Sequence, residues 1–234
     1  MKEPFKFILF AVLLVGFFSA CTEDNSSAPE EPVDTFDANV VCPAEGVNAY
    51  GEPIRGTFVD ERDGQEYRYT TIGEQVWMAE NLNYAVGSEI KDMYPSSCSS
   101  YKDNCDGRGL LYPFSYIKSA CPAGWHLPKQ EEWDELYDKM GGIDVAGERL
   151  KAVEGWTPLN REDPRGGTDD CGFSLKPALA SGMNRDGYAA ELWSASLEEL
   201  NGNPITEYFY SNKSYVRVFY EADWEYFSIR CVKN

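Results

Sequence analysis

The chain has 234 residues, 39 acidic against 21 basic side chains, a net charge of −18 and 14% aromatic residues. That negative balance disfavours nucleic acid and anionic lipid headgroups as partners and fits a solvated surface. The length suits one domain behind an N-terminal targeting segment, and no repeat of fixed period argues for a solenoid or propeller.

Residues 1–20 read as a lipoprotein signal peptide. Lys2 and Lys6 form a positive start, and Phe7 to Phe18 make an apolar core. That core is too short for a transmembrane helix, which needs about 20 residues. Phe18-Ser19-Ala20 then leads into Cys21, which is expected to carry two acyl chains and anchor the protein. Residues 21–38 follow as an acidic tether with Ser26, Ser27, Pro29 and Pro32, unable to bury a core. Thr22-Glu23-Asp24 resembles the acidic tract that sends some lipoproteins to the cell exterior. The expected address is therefore the cell envelope, as a surface-exposed outer-membrane lipoprotein. Setting Cys21 aside, the remaining six of seven Cys should form disulfides in an oxidising compartment. Six Cys allow 15 pairings. Cys98 and Cys105 flank a short polar loop, Cys121 and Cys231 would close a long one, and elimination leaves Cys42 with Cys171. The last pair would pin segment 39–55 to the body.

Gly56–Asp60 is a strand candidate, and Glu61-Arg62-Asp63-Gly64 a turn. Tyr67, Tyr69 and Thr71 alternate with Arg68 and Thr70 at period 2, and Gly73-Glu74 turns the chain into Gln75–Ala79. Tyr112–Ala120 reads as a short helix with Pro113 in its first turn. After Cys121-Pro122-Ala123-Gly124-Trp125-His126-Leu127-Pro128, Trp133, Leu136, Tyr137 and Met140 fall at i, i+3, i+4 and i+7. That stripe predicts an amphipathic helix, which Gly141-Gly142 should stop. Ala146, Arg149, Leu150 and Val153 suggest a second short helix that starts with Asp144 as its N-cap. Residues 154–190, rich in Gly, Pro and Asp, read as a long ordered loop. Leu192–Ala195, Tyr208–Tyr210, Ser214–Tyr220 and Tyr226–Val232 close the chain as strands, with turns at Asn212-Lys213 and Ala222-Asp223. In Ser214–Tyr220, Val216, Val218 and Tyr220 face one way and Tyr215, Arg217 and Phe219 the other. Central helices followed by an antiparallel meander make the fold class α+β.

Six segments carry a family resemblance: Gln75 to Tyr84, Gly109-Leu110-Leu111-Tyr112, Cys121 to Pro128 with Glu132-Trp133, Gly172-Phe173-Ser174, Leu192-Trp193-Ser194 and Ser228 to Val232. In order and spacing they resemble the Fibrobacter succinogenes major paralogous domain, across residues 56–234. The resemblance implies an exported, often lipid-anchored domain of C-type lectin-like fold, related in shape to the formylglycine-generating enzymes, with no activity attached. Two positions depart from the pattern. Lys129 stands where Ser or Thr would cap the main helix, and Cys171 where an aromatic or polar residue is usual.

Catalytic chemistry finds little support. His126 is the single His, set in a tight turn between Trp125 and Leu127, and is expected to pack with its ring nitrogens held by backbone. One His and paired Cys cannot make a zinc site, and no Gly-x-Ser-x-Gly elbow is present. Calcium is the only cofactor with ligands on offer, in Asp103, Asn104 and Asp106 and in Asp169 and Asp170, but without an EF-hand rhythm. The expected metal is none. Trp77, Trp125, Trp133 and Trp193 are expected in the core. Trp156, Arg161, Arg165, Arg185, Tyr188 and Trp224 are the candidate ligand-binding residues, all but Trp224 in the irregular stretch. The reading is a non-catalytic binding or adhesion module for a glycan or another surface protein. Its alternatives are a structural subunit of a surface assembly and a divergent enzyme.

Overall fold

A computed structural model describes residues 34–85, 107–157, 166–178 and 187–234. Cys21, Cys98, Cys105, Asp103, Asn104, Asp106, Arg161, Arg165 and Arg185 lie outside these described residues. The body begins at Asp34, so the last residues of the expected tether belong to it. Asp37 caps the short helix α1 (Ala38–Val41) by accepting from the Asn39 N–H at 2.9 Å. Phe36 packs on the core with the Arg149 guanidinium 4.2 Å from its ring. An aromatic and two small apolar residues thus suffice to dock this segment.

Strands β1 (Arg55–Asp60), β2 (Gln65–Ile72) and β3 (Gln75–Met78) form an antiparallel meander, as the period-2 pattern predicts. Strand β10 (Val232–Lys233) then pairs with β3, placing Val232 opposite Trp77, and with β5 (Trp125–His126) on its other side. The five-stranded order is β1-β2-β3-β10-β5. A second, three-stranded antiparallel sheet runs β6 (Ala189–Leu197), β7 (Pro204–Tyr210) and β8 (Val216–Tyr220). Strands β4 (Tyr112–Pro113) and β9 (Tyr226–Phe227) make a small third sheet. The fold is α+β, with mostly antiparallel sheets and few short helices.

Helix α2 (Gln130–Lys139) buries Trp133, Leu136 and Tyr137, with Met140 just beyond it. Gly142, at φ +103°, adopts a conformation strained for other residues, and its N–H donates to Tyr137 O, closing the helix end. The same residue is the N-cap of α3 (Ile143–Leu150), so Asp144 stands in the first turn instead of capping it. Val153, expected within this helix, lies beyond its end and is exposed. Trp77, Trp133 and Phe173 stack as one aromatic cluster, and Trp193 with Phe114 and Phe227 as another. The four tryptophans assigned to the core are all buried.

Two expected elements change. Pro113 has ψ 151°, so Tyr112–Pro113 is extended and pairs with β9, and a 3₁₀ helix begins only at Phe114 and runs to Ser119. The stretch Tyr226–Val232 splits into β9 and β10 because Arg230 between them turns fully inward. Its guanidinium donates to Asn81 Oδ1, from Nε at 3.1 Å and Nη2 at 2.9 Å, and to the Phe173 carbonyl. Burial works against that charge and Asp169 supports it. Two disulfides join distant segments, Cys42–Cys171 and Cys121–Cys231, with Cα–Cα distances of 5.5 and 5.9 Å.

Candidate functional site

The alternation in β7 and β8 sorts two kinds of residue to two faces. Inward, Phe209 lies opposite Ala190 and Val216, all buried, and Glu207 reaches α2, where the Tyr137 hydroxyl donates to its Oε2 at 2.6 Å. Burial pushes the Glu207 carboxyl up to about 7. Burial declines along β8, so Val216 is buried but Tyr220, on the same face, is 56% exposed at the strand end.

Outward, the register aligns Glu191, Tyr208 and Arg217 in one row across the three strands. The next row aligns Trp193, Thr206 and Phe219. Four rings meet here. Tyr208 lies 4.5 Å from Tyr210 and 5.5 Å, edge-on, from Phe219, and Tyr210 lies 6.1 Å from Tyr215. Arg217 is exposed, with its guanidinium 5.4 Å from the Tyr215 ring. All four rings are half-buried, supporting one another at the sides and reaching solvent.

The β6 end of this face is closed by Trp193, packed against Phe114 and Phe227. Glu191 marks the boundary. Thr206 Oγ1 donates to its Oε1 at 2.6 Å, and burial, with Glu221 and Glu225 nearby, pushes the carboxyl up to about 8. It is therefore largely protonated at neutral pH and can donate a hydrogen bond as well as accept one.

The backbone under the rings is fixed from behind. Lys151, at the end of α3 and 1% exposed, donates from Nζ to the carbonyls of Tyr210, Ser211 and Lys213 at 2.8, 3.2 and 2.7 Å. Gly147 lets α3 come close, since a Cβ there would lie 2.6 Å from Ser214 O and 2.7 Å from Tyr215 O.

The residues expected to bind ligand are placed differently from one another. Trp156 is a correction: it is 8% exposed and belongs to the core, with Lys151 Nζ 5.4 Å from its ring. The reason is backbone bonding on both sides, Ala152 N–H to Leu175 O and Thr157 N–H to Gly187 O, which folds the indole inward. Tyr188 is half-buried just before β6, and its carbonyl accepts from the Ser211 N–H. Trp224 is 68% exposed, on the turn whose Glu225 acts on Glu191. Trp224 thus stands exposed beside a residue whose charge reaches Glu191, and Trp156 is left out. What the sequence reading missed was the face itself. Tyr208 and Tyr210, with Tyr215, Arg217 and Phe219, belong to stretches that the sequence reads only as strands, with no ligand-binding role.

His126 differs from expectation too, since side chains, not backbone, meet its ring. Nδ1 lies 2.6 Å from Asn234 Oδ1 and Nε2 2.7 Å from Glu132 Oε1, while Glu132 Oε2 accepts from the Lys129 N–H. Asp169 accepts from the Ser174 N–H and hydroxyl, and Asp170 lies 3.7 Å from Arg149. Among the described residues no group of three or more His, Cys, Asp or Glu converges on a metal position.

No curated protein and no solved structure matches the chain. A family model does, over residues 70–233, from the middle of β2 into β10. Strands β3 to β10 and Arg230 fall within that span, and the chain belongs to the Fibrobacter succinogenes major domain family.

Proposed function

We propose that this protein is a non-catalytic surface binding module whose aromatic sheet face takes a glycan. The observation that carries the reading is the cluster of Tyr208, Tyr210, Tyr215 and Phe219 beside exposed Arg217. Flat rings suit the apolar faces of sugars, while a guanidinium, phenols and a protonated carboxyl suit their hydroxyls. Rings held on a sheet lose little freedom on binding, which favours affinity. Strand β10 between β3 and β5, antiparallel sheets and connections held by disulfides support a C-type lectin-like reading of the fold. Lipidation at Cys21 and an outer-surface address complete the proposal, from the N-terminal pattern.

A glycan array followed by calorimetry tests it. Tyr210→Ala and Arg217→Ala should each weaken binding by more than about 1 kcal/mol, roughly fivefold. Binding should persist in EDTA. Unchanged affinity in both variants, with native circular dichroism, rejects this face, and loss of binding in EDTA returns calcium to consideration.

A further inference from the structure

A cleft of about 420 Å³ opens between β5, the 3₁₀ helix and the end of β6. That size lies within the ~300–1,000 Å³ range of small-molecule sites. Phe114, Ile117, Trp125 and Leu127 line it, with Ala195 and Leu197 from β6. Among the described residues its ionisable lining side chains are Lys118, His126 and Lys129, with no carboxylate. In a chain with 39 acidic residues and 21 basic ones, a cleft whose described lining carries two lysines and no carboxylate departs locally from the overall charge. His126 is already engaged by Glu132 and Asn234. Lys118 and Lys129 are both exposed and form no ion pair among the described residues.

From this charge complementarity we infer that the cleft binds a free alkyl carboxylate, the chain on the apolar lining and the carboxylate between Lys118 and Lys129. The site is separate from the aromatic face of the β6–β8 sheet. An apolar body displaces water from Trp125 and Leu127, and two ammonium groups at the mouth select the anion over a neutral or cationic head. An extended anionic membrane surface fits less well, because Glu198 and Glu199, which follow Leu197 in the chain outside the cleft lining, would repel a surface and spare a free molecule. The free molecule is the occupant the charges favour.

Calorimetry with decanoate, held below its aggregation concentration, tests the assignment on the whole protein. Decanoate should bind at least tenfold more tightly than decanol, and decyltrimethylammonium should not bind. Lys118→Met with Lys129→Met should remove the preference for decanoate over decanol. Ala195→Trp, at an exposed strand position, should fill the cleft and abolish decanoate binding while leaving the melting temperature within a few degrees. The inference is overturned by absence of decanoate binding, by equal binding of the three amphiphiles, or by binding that survives Ala195→Trp. Binding to anionic vesicles but not to monomeric decanoate also overturns it, in favour of a membrane contact.

Discussion

Glu191 and Arg230 show how single ionisable side chains can be buried on different terms. Arg230 keeps its charge with two bonds to Asn81, one to Phe173 O and the field of Asp169. Glu191 has one hydroxyl donor and two nearby carboxylates, so protonation is its easier solution. The consequence for stability has a definite sign. The folded protein holds a proton on Glu191 to about pH 8, whereas the unfolded chain releases it near pH 4.5. The folded state is therefore favoured most below pH 4.5 and loses that advantage as pH rises toward about 8. Glu191→Gln should match the wild type near pH 5 and exceed it near pH 8 by about 1–3 kcal/mol in urea unfolding. An equal difference at both pH values would show that the carboxyl ionises freely in the folded protein.

At the scale of elements, the candidate binding face depends on a helix that never touches it from the front. Lys151 at the end of α3 holds three carbonyls of the β7–β8 connection. Burial lowers its ammonium to about 8, opposed by Glu148. Because the unfolded side chain titrates near 10.5, this group makes stability rise with pH between about 8 and 10.5. Lys151→Met should cost about 1–3 kcal/mol at pH 7 by leaving carbonyls unpaired. It should also remove that alkaline rise relative to the wild type and weaken binding at the Tyr210 face. A variant that unfolds earlier yet binds with unchanged affinity would separate the lysine from the site. Much of this element structure was legible in advance, and for a physical reason. The α2 stripe and the β2 alternation are local periodicities imposed by burial on one face. Pro113 misled because extended and helical backbones share its φ, and only pairing with β9 chose between them. Trp156 misled because composition reports loops, not the backbone bonds that turn one residue inward. The aromatic rows went unread because period 2 names two faces, and nothing local says which one meets water.

For the molecule as a whole, the two disulfides among the described residues span separations of 129 and 110 residues. In the chain-entropy model loops so similar in length contribute almost equally, roughly 4 to 5 kcal/mol each before any native-state term. The paired substitutions Cys42→Ala/Cys171→Ala and Cys121→Ala/Cys231→Ala should then lower unfolding free energy by amounts within about 1 kcal/mol of each other. A much larger loss for the second pair would show that Cys231, beside β10, contributes chiefly by ordering the native sheet. The pairing itself was reached from spacing and elimination. The Arg230 knot was not foreseen, since a lone Arg between Ile229 and Cys231 carries no sign of where it points.

The placement of β10 bears on time as well as on stability. Trp77 and Val232 are neighbours across a strand pair, yet almost the whole body lies between them in the chain. The five-stranded sheet cannot close until β10 has been made, because its fourth strand in spatial order comes last of the five along the chain. Folding is thus dominated by one long loop closure, slow by the measure of contact order. Until that closure, Trp77 lacks its partner and the nascent polypeptide stays open to whatever handles unfolded chains.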